Sequence, residues 1–235
     1  MAASEIMAYR QSMVASAEAL VRSGILSASQ HGNMSVLLPG ESELLLTAGS
    51  GLGSLRTDEL ARLDRGGRVL EGRLAPTAHE IIHMHTVVYE HLPHVRAVIH
   101  THQPYASAFA VASRPIECVA EVMARWMGAE PVPVAKYGPR GSDAAVENIA
   151  AVLREHPTCK ALLLEHHGVL VFGEDAEQTT RIAVALEEAA QLALLANTLG
   201  PLRPLPADAA VSSQQRRVDF ERIGGLGADG GQARA

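Results

Sequence analysis

The apolar positions of this chain follow two rhythms. Over residues 4–23, Ile6, Met7, Met13, Val14, Ala17, Leu20 and Val21 recur at helical spacing, and Gly24 follows as a stop. Elsewhere short, unbroken apolar runs stand between turn residues: Val36 to Leu38, Leu44 to Leu46, Ala97 to Ile99, Ala161 to Leu164 and Val169 to Phe172. Runs of that length predict strands buried on both faces. Polar and glycine-rich stretches precede or follow them. Ser29 to Ser35 reads as a loop entering a strand, with Gly32-Asn33 free to take positive φ. Ala48 to Gly53 reads as a second glycine loop carrying a hydroxyl, and neither loop has the lysine of a P-loop.

Helices are predicted between these runs. Thr57 to Leu60 is a short capped turn, and Arg65-Gly66-Gly67-Arg68 a tight turn before Val69-Leu70. Pro76-Thr77 opens a helix that carries His79, Glu80, His83 and His85 and ends near Leu92-Pro93. Pro104 opens another through Val111, residues 117–127 a third, and Ser142 or Asp143 caps a fourth to about Glu155. Val132-Pro133-Val134 suits only an edge strand. Asp175 caps a long helix to about Asn197, stopped by Gly200-Pro201. Residues 1–200 then form one domain, and 201–235, rich in Pro, Ala, Gly and Arg, a loosely held tail. Without strict βαβ alternation, the sheet is expected to be largely antiparallel with helices on both faces.

Composition narrows the function. The chain has 235 residues, 47% hydrophobic, enough for a single core. A net charge of −6 and no basic run argue against nucleic acid or an anionic membrane. Two cysteines give no disulfide framework, and no apolar run reaches the ~18 residues of a membrane span, so a cytoplasmic protein is expected. Eleven histidines is a high number, and seven lie between His79 and His102, which locates the chemistry.

Two patterns compete for those histidines. His79-Glu80-Ile81-Ile82-His83 is literally the H-E-x-x-H of zinc proteases, two imidazoles one helical turn apart with a glutamate base. It lacks the extended third histidine and leaves His100, His102 and His167 idle. The other pattern is two buried strands that both end in histidine: Ala97-Val98-Ile99-His100-Thr101-His102 and Ala161 to Leu164 followed by Glu165-His166-His167-Gly168. Residues two apart in a strand share a face, so His100 and His102 can hold one ion with His167, and Glu80 can approach as base. Three imidazoles with an open position suit a catalytic metal, which stabilises charge developing on oxygen.

With these residues in place the chain resembles the class II aldolase/adducin family. The matching pieces are His31-Gly32-Asn33-Met34-Ser35, Leu46-Thr47-Ala48-Gly49-Ser50-Gly51, Pro76-Thr77-Ala78-His79-Glu80, Ala97 to Tyr105, and Leu163 to Val169. The resemblance implies a three-layer α/β/α fold around a mostly antiparallel sheet. It implies Zn²⁺, or another divalent ion such as Mn²⁺, on His100, His102 and His167 rather than His166. It implies Glu80 as acid/base and a homotetramer with sites between subunits. Asn33, Ser50, Gly51 and Thr77 stand where substrate contacts are expected. The expected reaction is aldol cleavage of a small hydroxy-ketone or sugar phosphate. Decarboxylation of a hydroxy-acid on the same fold is the alternative, and a zinc protease or a non-catalytic adducin-like module the remote ones. Sugar-phosphate members carry Pro-Ser-Ser-Glu. Here Pro76 to Glu80 is one residue longer and one hydroxyl poorer, Gln30 replaces a threonine, and no tyrosine follows residue 200. These departures bear on the substrate and the proton donor, not on the metal.

Overall fold

The computed structural model describes residues 1–229. Within them, strands β1 (Gly32–Leu37), β2 (Glu43–Thr47), β3 (Leu60–Asp64), β4 (Val69–Glu71), β5 (Ala97–Thr101), β6 (Val134–Ala135), β7 (Ala161–Leu164) and β8 (Gly168–Gly173) make one sheet. Its order is β4-β3-β2-β1-β5-β8-β7-β6. Every pairing is antiparallel except β6–β7, so the sheet is mixed rather than purely antiparallel. The parallel pair lies at the edge, where Pro133 cannot interrupt a central ladder. Leu163 still donates its N–H to the Pro133 carbonyl at 2.8 Å.

The helices are α1 (Ala3–Ser23), α2 (Pro76–His79), α3 (Ile82–His91), α4 (Pro104–Val111), α5 (Glu121–Met127), α6 (Asp143–Glu155), α7 (Ala176–Leu199) and α8 (Ala207–Asp229). Alternate strand residues enter different cores. Leu45, Ile99, Leu163 and Val171 join Met13 and Leu20 of α1, Ala106 of α4, Met123 of α5 and Leu186 of α7. Leu44, Leu46, Val98, Leu162, Leu170 and Phe172 join Val88 of α3 and Leu153 of α6. The uniform apolar runs of the central strands follow from this: β1, β5, β7 and β8 are buried along their whole length. α7 is also long and apolar enough to cross a membrane by length and composition. Its buried residues, Ile182, Leu186 and Ala190 among them, pack into the first core instead.

Four expectations change. The stretch expected as a loop before Val36 is strand from Gly32 onward, because its backbone pairs with β5 from Gly32↔Thr101. Positive φ falls on Gln30 instead of Gly32-Asn33. The single helix expected from Pro76 to Leu92 is two helices, parted at Glu80-Ile81. The helix expected over 117–127 starts only at Glu121, since Ile116 is drawn into a bridge with Val132.

The stretch 201–235, expected to be loosely held, carries α8 up to Asp229. Ala210 is fully buried there and the Ser213 hydroxyl reaches the Glu121 carbonyl of α5. Its prolines precede that helix, at 201–206, whereas Gly224, Gly225 and Gly227 fall within the helix's last turns. Residues 230–235 lie outside the described residues.

Candidate metal centre

β5 runs between β1 and β8, so its C-terminal end is walled on both sides. His100 stands opposite Asn33 of β1 and Leu170 of β8. It faces the α3 side, like Val98 two residues earlier. The strand stops at Thr101, His102 follows, and Pro104 at the first position of α4 turns the chain away. β7 and β8 are joined by a tight turn in which His166 takes φ +57° and the His167 N–H returns to the Leu164 carbonyl at 2.9 Å. This left-handed residue sends the two neighbouring histidines in different directions. His167 joins His100 and His102, while His166 lies beside Tyr137.

Gly168 is required by the crowding that results. A Cβ there would lie 2.6 Å from the Thr101 carbonyl oxygen and 2.7 Å from His102 Cδ2. Gly32 is pressed in the same way, 2.7 Å from the His100 carbonyl oxygen. The Gly32 N–H donates to the Ser50 carbonyl at 2.9 Å, and His31 bridges to Gly51. The Ser50-Gly51 loop is thereby held against the histidines.

Four imidazoles meet here. Ring centroids are 4.9 Å apart for His100–His102, 4.7 Å for His100–His167 and 5.0 Å for His102–His167. His31 stacks on His102 at 4.7 Å. His31, His100 and His102 bring ligand nitrogens within 4.8 Å of one another, whereas His167 joins by ring contact alone. His31 is the residue that sequence reasoning missed. It stands in the same quoted motif as Asn33, directly before a glycine, as His167 does.

The chemistry of the donors fits a cation. His100 Nδ1 lies 2.9 Å from the Val169 carbonyl, which can only accept, so Nδ1 carries the proton and Nε2 is left with its lone pair. That Nε2 faces His102 Nε2 at 3.1 Å. Burial, then the neighbouring His167 and His102, push the His100 pKa well below 6.5. Burial, His167, His31 and Arg140 bring His102 down to about 4. His167 is lowered by burial, Arg140 and His31, and His31 by burial and Arg140. All four are thus held as neutral imidazoles, the form that ligates metals.

Glu80 takes a different position from the one a continuous helix predicts. At the break between α2 and α3 its carboxylate pairs with Arg140 at 3.0 Å, and Arg140 also donates to the Thr77 carbonyl at 3.0 Å. Gly141, at φ +74°, packs on the Glu80 side chain, where a Cβ would lie 3.1 Å from Glu80 Cβ. Glu80, Arg140, Lys136 and His167 line one cavity, so Glu80 shares an opening with His167 of the cluster. Thr77 is reached by its carbonyl and is exposed. His79 and His83 are exposed beside the break and take no part in the cluster. The Tyr105 hydroxyl accepts from Gln191 of α7.

A mixed sheet whose central strands end in clustered neutral imidazoles, with a carboxylate bordering the cavity that His167 lines, defines a class of α/β protein with a histidine cluster at a sheet end that could hold a metal ion. The family model for the class II aldolase and adducin N-terminal domain matches residues 11–194, and the chain belongs to that family. It is 29% identical over 192 residues to the L-fuculose phosphate aldolase of Escherichia coli K12, covering 82% of this chain and 83% of that one. It is 27% identical over 182 residues to a Mycoplasma pneumoniae protein named as an L-ribulose-5-phosphate 4-epimerase, covering 72% of this chain and 74% of that one. Among solved structures, an L-fuculose 1-phosphate aldolase superposes with a TM-score of 0.79 at 25% identity, over 92% of this chain and 97% of that one. YgbL of Klebsiella pneumoniae, described as a candidate aldolase/epimerase/decarboxylase, superposes with a TM-score of 0.73 at 29% identity, over 88% and 98%.

Proposed function

We propose that the protein is a divalent-metal-dependent carbon–carbon lyase that cleaves a small hydroxy-ketone or sugar phosphate in the aldol sense. The observation that carries this reading is the meeting of His100, His102 and His167, with His31 stacked beside them, as neutral imidazoles at one sheet end. Those residues would hold Zn²⁺ or a similar ion, which supplies Lewis-acid stabilisation of negative charge on substrate oxygens. Glu80 is the proton-transfer group, and Arg140 fixes its position. Asn33, Ser50 and Gly51 orient the oxygen-rich end of the substrate, and Thr77, whose carbonyl accepts from Arg140, is a further substrate contact. Retention of the histidines argues against a non-catalytic adducin-like role, and the exposure of His79 and His83 against the protease pattern.

The decisive variant is Glu80→Gln. This variant is expected to keep its metal while turnover of hydroxy-ketones falls by a factor on the order of 10² or more. Unchanged turnover would remove Glu80 from the mechanism. Decarboxylation of a hydroxy-acid is the second reading, favoured by Lys136 and Arg140 lining the cavity beside His167. Release of CO₂ without an aldehyde product would select it.

The two cores are consistent with a three-layer α/β/α arrangement. We also place the catalytic domain at residues 1–200, the enzyme in the cytoplasm and the sites in a homotetramer. Leu195 and Leu199 of α7 and Phe220 of α8, all exposed, suit burial between copies.

A further inference from the structure

β1 sends Asn33, Ser35 and Leu37 to the face covered by α3, and three of the side chains there form a relay that ends on Asn33. His85 Nε2 lies 2.6 Å from Asn33 Oδ1, and His85 Nδ1 lies 2.8 Å from Ser35 Oγ. Ser35 Oγ lies 2.7 Å from the Tyr89 hydroxyl. Asn33, Ser35 and His85 are fully buried and Tyr89 nearly so.

The directions of these bonds can be deduced. Burial drives the His85 pKa down to about 3, so the ring is neutral and has one donor and one acceptor nitrogen. Asn33 Oδ1 can only accept, so the ring proton sits on Nε2 and Nδ1 is the acceptor. Ser35 therefore gives its hydrogen to His85 Nδ1 and accepts that of the Tyr89 hydroxyl, which burial keeps protonated. The amide oxygen is used up. What remains is Asn33 Nδ2, which is buried and has no hydrogen-bond partner among the described residues. A buried donor left unpaired costs about 1–3 kcal/mol. Asn33 stands opposite His100 on the β1–β5 ladder and shares its face.

We propose that His85 is a positioning residue: the relay Tyr89–Ser35–His85 locks the Asn33 amide so that Nδ2 meets a negatively charged oxygen, enediolate or carboxylate, of the molecule bound at the histidines. The opposite relay direction would turn the amide over and present an acceptor, which would repel such an oxygen. The ligand class rests on the function proposed above, whereas the relay itself stands on hydrogen bonds within this chain.

Two measurements test it. In metal-free wild type with ¹⁵N-labelled histidine, long-range ¹H–¹⁵N spectra should show a neutral His85 protonated on Nε2. Protonation on Nδ1 overturns the relay. Metal-loaded wild type, His85→Gln and His85→Met are then titrated calorimetrically with acetohydroxamate, a chelator that presents two oxygens, with metal content measured alongside. His85→Met should bind about tenfold more weakly or worse, at unchanged metal content. His85→Gln, whose amide also donates to Asn33 and accepts from Ser35, should stay within about threefold of wild type. Wild-type binding by His85→Met, or equal loss in both variants, overturns the positioning role. A wild type that holds no metal would defeat the proposed function, and the spectra would still decide the relay.

Discussion

His100 Nε2 lies 3.1 Å from His102 Nε2, and the two rings meet at 79°. Since His100 gives its only proton to Val169, its Nε2 can accept one hydrogen bond from His102 or bind an ion, but it cannot donate. An ion satisfies both nitrogens at once. Treatment with a chelator is therefore expected to lower the thermal midpoint, and Zn²⁺ to restore it. The change should correspond to about 3–4 kcal/mol when free metal exceeds its dissociation constant 100- to 1,000-fold. A midpoint indifferent to chelator and metal would argue against binding.

The metal-free protein should lose stability in acid in a defined window. His102 is brought to about 4 and His85 to about 3, both from 6.5. Below pH 6.5 the unfolded chain binds protons that the folded chain refuses, so protonation favours unfolding. The contribution is absent above 6.5 and grows as pH falls, toward 4 for His102 and 3 for His85. The fully buried His85 alone should cost about 1.4 kcal/mol per pH unit inside its window. Denaturant midpoints measured from pH 7 to 4 should fall steeply for wild type and less steeply for His85→Gln. Parallel curves would contradict the assignment.

Gly168→Ala should damage the centre without touching a ligand. The new methyl would meet a backbone oxygen, Thr101 O at 2.6 Å, that cannot rotate away. The β7–β8 turn must shift and carry His167 with it. We expect a loss of about 1–3 kcal/mol in stability together with weaker metal retention in equilibrium dialysis. A variant with normal metal affinity would show that the turn has slack.

His31→Ala separates support from ligation. His31 stacks on His102 with its nitrogen inside the same cluster. Its loss should weaken zinc affinity, measured by chelator competition, by about 10- to 100-fold without abolishing it. No change would confine His31 to packing, and complete loss would make it an essential ligand.

These residues differ in how far the sequence betrays them. His100, His102 and His167 were legible because apolar strand runs lead straight into them, and alternation fixes which side chains share a face. The fold was legible for the same reason, since buried strands and capped helices are written in local composition. Glu80, expected within a continuous helix, lies at a break between two. The segment Pro76 to Leu92 has an unbroken helical pattern, and the break at Glu80-Ile81 is set by tertiary partners such as Arg140 and Gly141, some 60 residues away in sequence. His31 was overlooked because the backbone of its motif, pulled into the ladder beside β5, does not look like strand locally. The role of His85 depends on Asn33 and Ser35, about 50 residues earlier, and only packing brings them together. α8 was hidden by the prolines and glycines at its two ends, which dominate the composition of a segment whose middle forms a helix.

On the proposed function the ion belongs at the end of the sheet and not on the helix pattern His79-Glu80-Ile81-Ile82-His83. Elemental analysis of metal content per subunit in wild type, His102→Ala and His79→Ala, prepared in parallel, decides between the two places. Close to one ion per subunit is expected in wild type and His79→Ala, and almost none in His102→Ala. Loss of the ion from His79→Ala with retention in His102→Ala would contradict it.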